Sequence, residues 1–322
     1  MGRGGRIRIA LVCAGLALTA GCTWVAPAPL PPPEPPSAPV PPPAEPDPKV
    51  TAPSAESLEL ARYYQRLQDR LLAQGLLRGD GGGPDTPFTD TQLARNFVRI
   101  ALFNEYQDDS DFLTPRATVS KLRRWNQPIR MGLHFGNTVP LAQRDRDRIS
   151  VGSYAARLSR NSGVPITLTD DNPNYHVYFL GEDDRRGFEA ELRRLIPTIS
   201  DATVRTVINL PKDQLCVVIG TFEPGQSTYR QAVALIRAEH PNLMRSACIH
   251  EELAQGMGLA NDSPSARPSI FNDDEEFGLL TRHDELLLRM LYDPRLQPGM
   301  DPATAAPIAR WIAKDILAQG AS

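Results

Sequence analysis

The stretch that most constrains the fold of this 322-residue chain is a predicted helix around Glu251, Glu252 and Gln255. Residues four apart share a helix face, so Glu251 and Gln255 point the same way while Glu252 is turned by about 100°. Gly258 follows, and it can adopt the left-handed conformation that ends a helix and turns the chain back. The pattern therefore predicts a helix that carries two carboxylates and an amide into a sharp turn.

The residues after this turn continue the pattern. The turn would bring Asn261 or Asp262 round to the helix face that carries the polar side chains. A tight apolar turn at residues 267–272 follows, and a last helix begins after it. Thr281 and Asp284 have the spacing of a capping-box variant at the start of that helix.

This run resembles the C-terminal half of a metzincin catalytic domain, in which a zinc-binding helix ending in glycine precedes a third ligand, a methionine-containing turn and a last helix. The positions of first ligand, general base, second ligand, turn glycine and third ligand are held by Glu251, Glu252, Gln255, Gly258 and Asn261. Phe271 stands where the methionine would be. The resemblance implies a zincin-like fold with Glu252 as the catalytic candidate, and the chain departs from the family at all three ligands and at the methionine.

A wider resemblance covers roughly Arg116 to Met300. The segments Trp125–Ile129, Cys248–Gln255 and Ser269–Asp274 are similar to the DUF2927 family of uncharacterised proteobacterial lipoproteins. That resemblance implies an exported protein and no known activity.

Two interpretations of the polar cluster stay open. In the first, Glu251, Gln255 and either Asn261 or Asp262 hold a divalent cation, and such oxygen ligands suit calcium, magnesium or manganese better than zinc. In the second, they form a hydrogen-bonded cluster without a cofactor. His250 is predicted to be a packed helix residue, because a helical zinc pair needs a second histidine four residues on, where this chain has alanine.

The N-terminus has the features of an export signal. Three arginines precede the short apolar run Ile9–Ala20, which is too short to span a membrane. The residues before Cys22 resemble a bacterial lipobox, so Cys22 is the predicted lipidation site, with an ordinary signal peptide or a retained anchor as the alternatives. Thr23 at the next position resembles proteins sorted to the outer membrane, which predicts a lipid anchor there and a domain facing the periplasm.

Proline dominates the chain after this cysteine. Such a segment cannot bury a core and favours an extended polyproline II conformation, so it predicts a stalk. The predicted organisation is a lipoprotein signal peptide (1–21), a lipid anchor and disordered proline-rich stalk (22–53), N-terminal helices with a glycine-rich linker (54–115), a metzincin-like domain (116–300) and a C-terminal helix (301–322).

The two remaining cysteines are Cys216 and Cys248. An oxidising envelope compartment favours a disulfide between them, which would clip a strand to the helix that carries Glu251. Two buried free thiols are the alternative.

Charge and composition limit the partners. A formal net charge of −3, with basic and acidic residues interleaved, gives no case for nucleic-acid binding. The expected partners are the membrane, through the lipid anchor, and a cell-wall or envelope protein. The acidic run Asn272–Glu276 is predicted to be a solvated rim, because acids before a helix are ordinarily favourable to its dipole.

The order of the predicted elements indicates an α+β fold with one twisted mixed sheet. Helices are predicted at 54–78, 89–106, 145–160, 183–196, around Glu251, from Thr281 and after Pro302, and strands at 129–135, 166–169, 175–180, 215–222 and 229–237. The last of these strands, Tyr229–Arg237, is predicted to lie at an edge of the sheet.

The residues of the metzincin-like motif keep their spacing, but the three ligand positions carry other residues. This combination favours a non-catalytic envelope lipoprotein, whose metzincin-like domain is a binding or structural module. The alternative is a metal-dependent, peptidase-like hydrolase that uses Glu252 as its general base with oxygen ligands.

Overall fold

The computed structural model describes residues 50–108, 113–223 and 225–319. The predicted signal peptide, Cys22 and most of the stalk lie outside the described residues. All described elements belong to the compact unit Pro48–Ser322. None of the helices among these residues is both long enough and apolar enough to cross a membrane.

The fold is α+β, as predicted. The helices are α1 (Ala55–Ala73), α2 (Asp90–Ala101), α3 (Leu141–Ser162), α4 (Glu182–Arg186), α5 (Glu189–Leu195), α6 (Asp201–Ile208), α7 (Asn242–Gln255), α8 (Arg282–Leu291) and α9 (Pro302–Gln319). The strands are β1 (Phe103–Asp108), β2 (Leu113–Val119), β3 (Ile129–Phe135), β4 (Ile166–Leu168), β5 (Tyr175–Leu180), β6 (Cys216–Phe222) and β7 (Tyr229–Arg237).

A mixed five-stranded sheet forms the centre, with the strand order β4-β3-β5-β7-β6. Neighbouring strands are parallel, except that the edge strand β6 runs antiparallel to β7. The prediction that Tyr229–Arg237 is an edge strand is therefore wrong, because this strand lies between β5 and β6. Its second half is continuously apolar and buried, from Ala232 to Ile236, as expected of a strand covered on both faces.

Two predicted helices differ from the structure. The helix predicted at Thr89–Tyr106 ends at Ala101, because the next residues form β1, which pairs with β2 in a separate antiparallel hairpin. The helix predicted at Asp183–Ile196 is divided into α4 and α5 at Gly187. Helix α6 was not predicted.

The helix starts follow local capping chemistry. The Thr89 and Thr281 side chains accept hydrogen bonds from the third backbone N–H of α2 and α8, and a glutamine and an aspartate complete the two capping boxes. The capping box predicted at Thr281 and Asp284 is thus confirmed. On α7, Arg245 forms a 2.7 Å ion pair with Asp147 of α3, and both side chains are buried, so the pair fixes α7 against α3.

The C-terminal end of α7 is held by three aromatic side chains. Tyr175 Oη donates to the Glu252 carbonyl at 2.8 Å, Trp125 Nε1 to the Gly256 carbonyl at 2.8 Å, and Tyr292 Oη to the Met257 carbonyl at 2.9 Å. The last carbonyls of a helix lack partners within it, so the bonds to Gly256 and Met257 satisfy buried groups. The Glu252 carbonyl also accepts from the Gly256 N–H, and Tyr175 adds a second hydrogen bond to it.

The chain then turns at Gly258, as predicted. Its φ of 119° is disfavoured for residues with a side chain, and a Cβ at this position would lie 2.2 Å from the Arg123 carbonyl oxygen. Glycine therefore permits the close packing that directs the following loop back toward the helix.

Candidate functional site

A cleft lies between the end of α7, the edge strand β6, the strand β1 and the loop that follows Gly258. It contains a cavity of about 180 Å³. The residues that line it are Glu105, Asp213, Gln214, Leu215, Cys216, Val217, Val218, Glu251, Glu252, Gln255, Asp262, Asp273 and Glu275. We call this cavity the acidic pocket.

Seven of the lining residues carry a carboxyl group, and none of the described residues lining the pocket is a lysine, arginine or histidine. The seven are Glu105, Asp213, Glu251, Glu252, Asp262, Asp273 and Glu275. They come from a strand, a helix and two loops, so only the tertiary fold brings them together. The pocket therefore concentrates negative charge without a basic side chain among its lining residues.

This concentration changes the proton affinity of the pocket. Burial raises the pKa of Glu251, Glu252 and Asp262 well above the ordinary values, and neighbouring carboxylates, Glu105 and Asp262 among them, raise the pKa values further. Burial also raises the pKa of Glu275. These groups cannot all ionise at neutral pH without a compensating positive charge.

Glu252 stands out within the pocket. Glu252 is only 4 % exposed, and its Oε2 atom has no hydrogen-bond partner among the described residues. A buried carboxylate oxygen without a donor is costly, so its position requires an explanation. The pocket that it faces is lined by further acceptors, which do not supply a donor.

The amide of Gln255 lies between two carboxylates. Its Nε2 atom is 3.5 Å from Glu105 Oε2 and 3.5 Å from Asp262 Oδ1, at the limit of hydrogen bonding. These contacts place an acid from β1 and an acid from the loop after α7 near the same helix residue.

The structure separates the two candidates for the third ligand. The Asn261 amide nitrogen donates to the Arg99 carbonyl at 2.9 Å and to the Asp262 carbonyl at 2.7 Å, and Asn261 does not line the pocket. Asp262 does line it. Of the predicted site residues, the fold thus brings together Glu251, Glu252, Gln255 and Asp262. The Asn261 side chain instead donates hydrogen bonds to backbone carbonyls.

Sequence reasoning missed several acids of the pocket. Glu105 lies in the part of a predicted helix that is in fact β1, and Asp213 lies in the loop before β6. Asp273 and Glu275, predicted to be part of a solvated rim, line the pocket instead. Their sequence signal was the acidic run itself, whereas nothing local to Glu105 indicated its position.

The predicted disulfide between Cys216 and Cys248 is present. It joins the edge strand β6 to α7, so it fixes the distance between two walls of the pocket. One oxygen each of Glu251 and Glu252 lies within 4.8 Å of Cys216 Sγ and of each other. Because this sulfur is bonded to another sulfur, it is not available as a thiolate ligand.

His250 is a structural residue, as predicted. Its ring stacks on the Tyr154 ring at a centroid distance of 3.9 Å, and its Nδ1 accepts a 2.9 Å hydrogen bond from the Leu280 N–H. Burial lowers the pKa of His250 to about 3, so the ring is neutral at physiological pH.

We expect His250→Phe to lower the free energy of unfolding by about 1 to 2 kcal/mol, because the stacking remains while the Leu280 N–H loses its acceptor. Urea unfolding of the purified chain measures the loss. Unchanged stability combined with loss of a bound metal would instead identify His250 as a ligand.

An apolar groove continues from the acidic pocket along β6. Its cavity of about 260 Å³ is lined by Val218, Ile219 and Phe222 among others. The Arg123 guanidinium lies over the Phe222 ring, 4.3 Å from its centroid, and donates to Asn104 at 3.0 Å. The groove and the pocket together form an elongated depression beside the edge strand.

Comparison with known proteins identifies a family for this chain. No curated protein and no solved structure matches it. The family described as "Protein of unknown function (DUF2927)" matches residues 90–310, and this range includes α2, the β1–β2 hairpin with Glu105, and the whole central sheet. Since the match covers more than half of the chain, the protein belongs to the DUF2927 family.

Proposed function

We propose that this protein is a cell-envelope lipoprotein, anchored through Cys22 and a proline-rich stalk, whose metzincin-like domain binds a polypeptide partner without cleaving it. The anchor is supported by the basic and apolar residues before Cys22 and by the proline content of residues 26–53. The disulfide supports an oxidising compartment, because such bonds persist there and are rare in the cytosol.

The metzincin-like assignment draws support from three features. The sheet is mixed, with a single antiparallel strand, β6, at the edge beside the cleft. Helix α7 ends in glycines, and the chain turns at Gly258 to bring Asp262 to the cleft. A buried turn around Phe271 and the capped helix α8 follow.

The donor set of the pocket does not fit zinc catalysis. Zinc in such enzymes is held mainly by imidazoles, and none of the described residues lining this pocket is a histidine. Cys216 is in a disulfide, and Asn261 is turned toward backbone carbonyls. The single observation that carries the non-catalytic proposal is this replacement of all three imidazole positions, with the third side chain directed away from the cleft.

The cleft has the properties of a polypeptide-binding surface. β6 is an edge strand, so one side of its backbone is available for pairing with an added strand. The apolar groove along β6 would accept apolar side chains. The carboxylates of Asp213, Asp273 and Glu275 in the lining of the pocket complement a lysine or arginine. We therefore infer an extended, basic segment of a cell-wall or envelope protein as the partner.

Site-specific crosslinking in intact cells tests this proposal. A photoreactive residue at Val218, which lines both the pocket and the groove, is expected to capture one discrete envelope protein. The same residue at Glu59, exposed on α1, is the control and should not capture it. Absence of a Val218-specific product, together with peptide hydrolysis by the purified chain, would contradict the proposal.

A second candidate function is a hydrolase in which Glu252 acts as general base. The buried, unpartnered Oε2 of Glu252 favours it, because catalytic carboxylates are often held without a full set of donors. Burial and the nearby carboxylates of Glu105 and Asp262 raise the pKa of Glu252, which favours its protonated form, and a bound cation would oppose this shift and favour the base. Hydrolysis that persists in Glu252→Gln would eliminate this mechanism.

A further inference from the structure

We propose that the acidic pocket binds one hard divalent cation, with the coordination chemistry of calcium, through carboxylate oxygens of Glu105, Glu251, Glu252 and Asp262. The first argument is the orphaned carboxylate. Glu252 Oε2 is buried, faces the pocket and has no hydrogen-bond partner among the described residues. A cation at its face would satisfy that oxygen, which the other acceptors of the pocket cannot do.

The second argument is distance. One oxygen of Glu251 and one of Glu252 lie within 4.8 Å of each other. Two oxygens that bind the same calcium ion at about 2.4 Å are at most about 4.8 Å apart. These two neighbouring helix residues can therefore share one ion with little movement. Asp262 and Glu105 each have an oxygen 3.5 Å from the Gln255 amide nitrogen. Among the described residues these two acids are not part of the group whose ligand atoms lie within 4.8 Å of one another, so their side chains would have to turn toward the ion.

The third argument is the chemistry of the ligands. All four are carboxylates, which are hard oxygen donors, and Gln255 can add a carbonyl oxygen if its amide is rotated. Carboxylates of Asp213, Asp273 and Glu275 line the same cavity and would add to the attraction. Calcium accepts six to eight such oxygens in flexible geometry, whereas magnesium requires a near-ideal octahedron and retains water. Ligands from a strand, a helix and a loop fit the flexible case better.

Glu105 is the ligand that distinguishes this site from a helix-only one. It lies on β1, whose backbone is tied to the loop after α7 by a 3.3 Å hydrogen bond from the Glu105 N–H to the Ala260 carbonyl. A cation bound by both segments would join the hairpin to the helix. The structure thus predicts that cation binding stabilises the whole cleft.

Calorimetric titration of the purified full chain with calcium chloride, after removal of metals with a chelator, tests the proposal. We expect one calcium ion per chain, and a melting temperature higher by about 5 to 10 °C at a calcium concentration one hundred times Kd. Magnesium should bind more weakly. No binding of calcium, magnesium or manganese would overturn the proposal.

Two variants assign the ligands. Glu105→Gln and Glu252→Gln should each weaken calcium binding at least about 10-fold, whereas the exposed control Glu59→Gln should leave it unchanged. Melting of each variant without calcium shows whether it is folded. Wild-type affinity in both folded pocket variants would overturn the assignment.

The cation site does not depend on the partner-binding proposal, because the titration uses the isolated chain. If the wild-type chain binds no calcium but the crosslink at Val218 still forms, only the cation site is refuted.

Discussion

Replacing Cys216 and Cys248 together with serine is expected to lower the free energy of unfolding by about 3 to 4 kcal/mol. The bond closes a loop with a sequence separation of 32 residues, and the chain-entropy model gives this magnitude for a loop of that length. The effect is large because the two sulfurs connect β6, which has a strand neighbour on one side only, to the helix that carries the acidic pocket.

Urea unfolding without reductant measures this loss, with a linear extrapolation to water. The control is the wild-type protein in excess dithiothreitol, which should reach the stability of the double serine variant, while the variant itself should not respond to the reductant. A loss below about 1 kcal/mol would show that packing alone holds β6 against α7.

The parts of the fold that the sequence predicted are those determined by local chemistry. The capping box at Thr281 and Asp284 requires only neighbouring residues, and it is present. The strand Tyr175–Leu180 is predicted with its observed limits because five of its six residues are apolar or aromatic, and all six are buried in the structure. The disulfide followed from the number of cysteines available in an oxidising compartment.

The errors arose where distant segments decide the outcome. Phe103–Asp108 continues a helical pattern, yet it becomes a strand because it pairs with Leu113–Val119. Tyr229–Arg237 alternates at its start like an edge strand, but β6 adds outside it and makes it internal. Neither pairing partner can be identified from the periodicity of the segment itself, because pairing is a property of the assembled sheet.

The same limit applies to the candidate site. Helical spacing predicts that Glu251, Glu252 and Gln255 lie close together at the end of one helix, because the rotation per residue is fixed, and all three line the pocket. It could not choose between Asn261 and Asp262, since one residue of difference after a glycine turn reverses which side chain faces the helix. Glu105 could not be found at all without the hairpin.

The acidic pocket differs from other places where ionic groups are buried. Arg245 is paired with Asp147 and Arg185 with Glu182. The buried Glu239 has one unpartnered oxygen, but its other oxygen accepts hydrogen bonds from the Ser57 hydroxyl and the Glu182 N–H. In the acidic pocket, Glu252 is buried beside other acids and has no such partner. A sequence that gathers several buried carboxyl groups at one place without a basic partner points to a requirement of function at that place.

This cost leads to a result with an unusual sign. We expect Glu252→Gln to raise the free energy of unfolding of the cation-free protein by about 1 to 4 kcal/mol at pH 8, because it removes a buried, unpartnered carboxyl group. The exposed substitution Glu59→Gln should change stability by less than about 0.5 kcal/mol. Saturating calcium should reverse the order, since only the wild-type pocket retains all four proposed ligands.

The increase in the free energy of unfolding that Glu252→Gln causes should also depend on pH. The folded pKa of Glu252 is raised above the unfolded value near 4.5, so its contribution to stability is fully present below that value. That contribution is lost as the pH rises toward the folded pKa. The advantage of Glu252→Gln over wild type should therefore be small at pH 4 and should grow toward pH 8.

Comparing wild type with Glu252→Gln at each pH separates the contribution of Glu252 to stability from the contributions of the histidines. Burial lowers the pKa of His176 to about 4 and that of His250 to about 3, so both remove stability as the pH falls below about 6.5. The histidines lower the stability of wild type and variant equally, so their effect cancels in the difference between the two free energies of unfolding. Chelator-treated samples unfolded in urea between pH 4 and pH 8 provide the measurement. If the extra stability of Glu252→Gln is constant with pH, or if the variant is less stable than wild type at pH 8, then the ionised Glu252 carboxyl does not destabilise the folded protein.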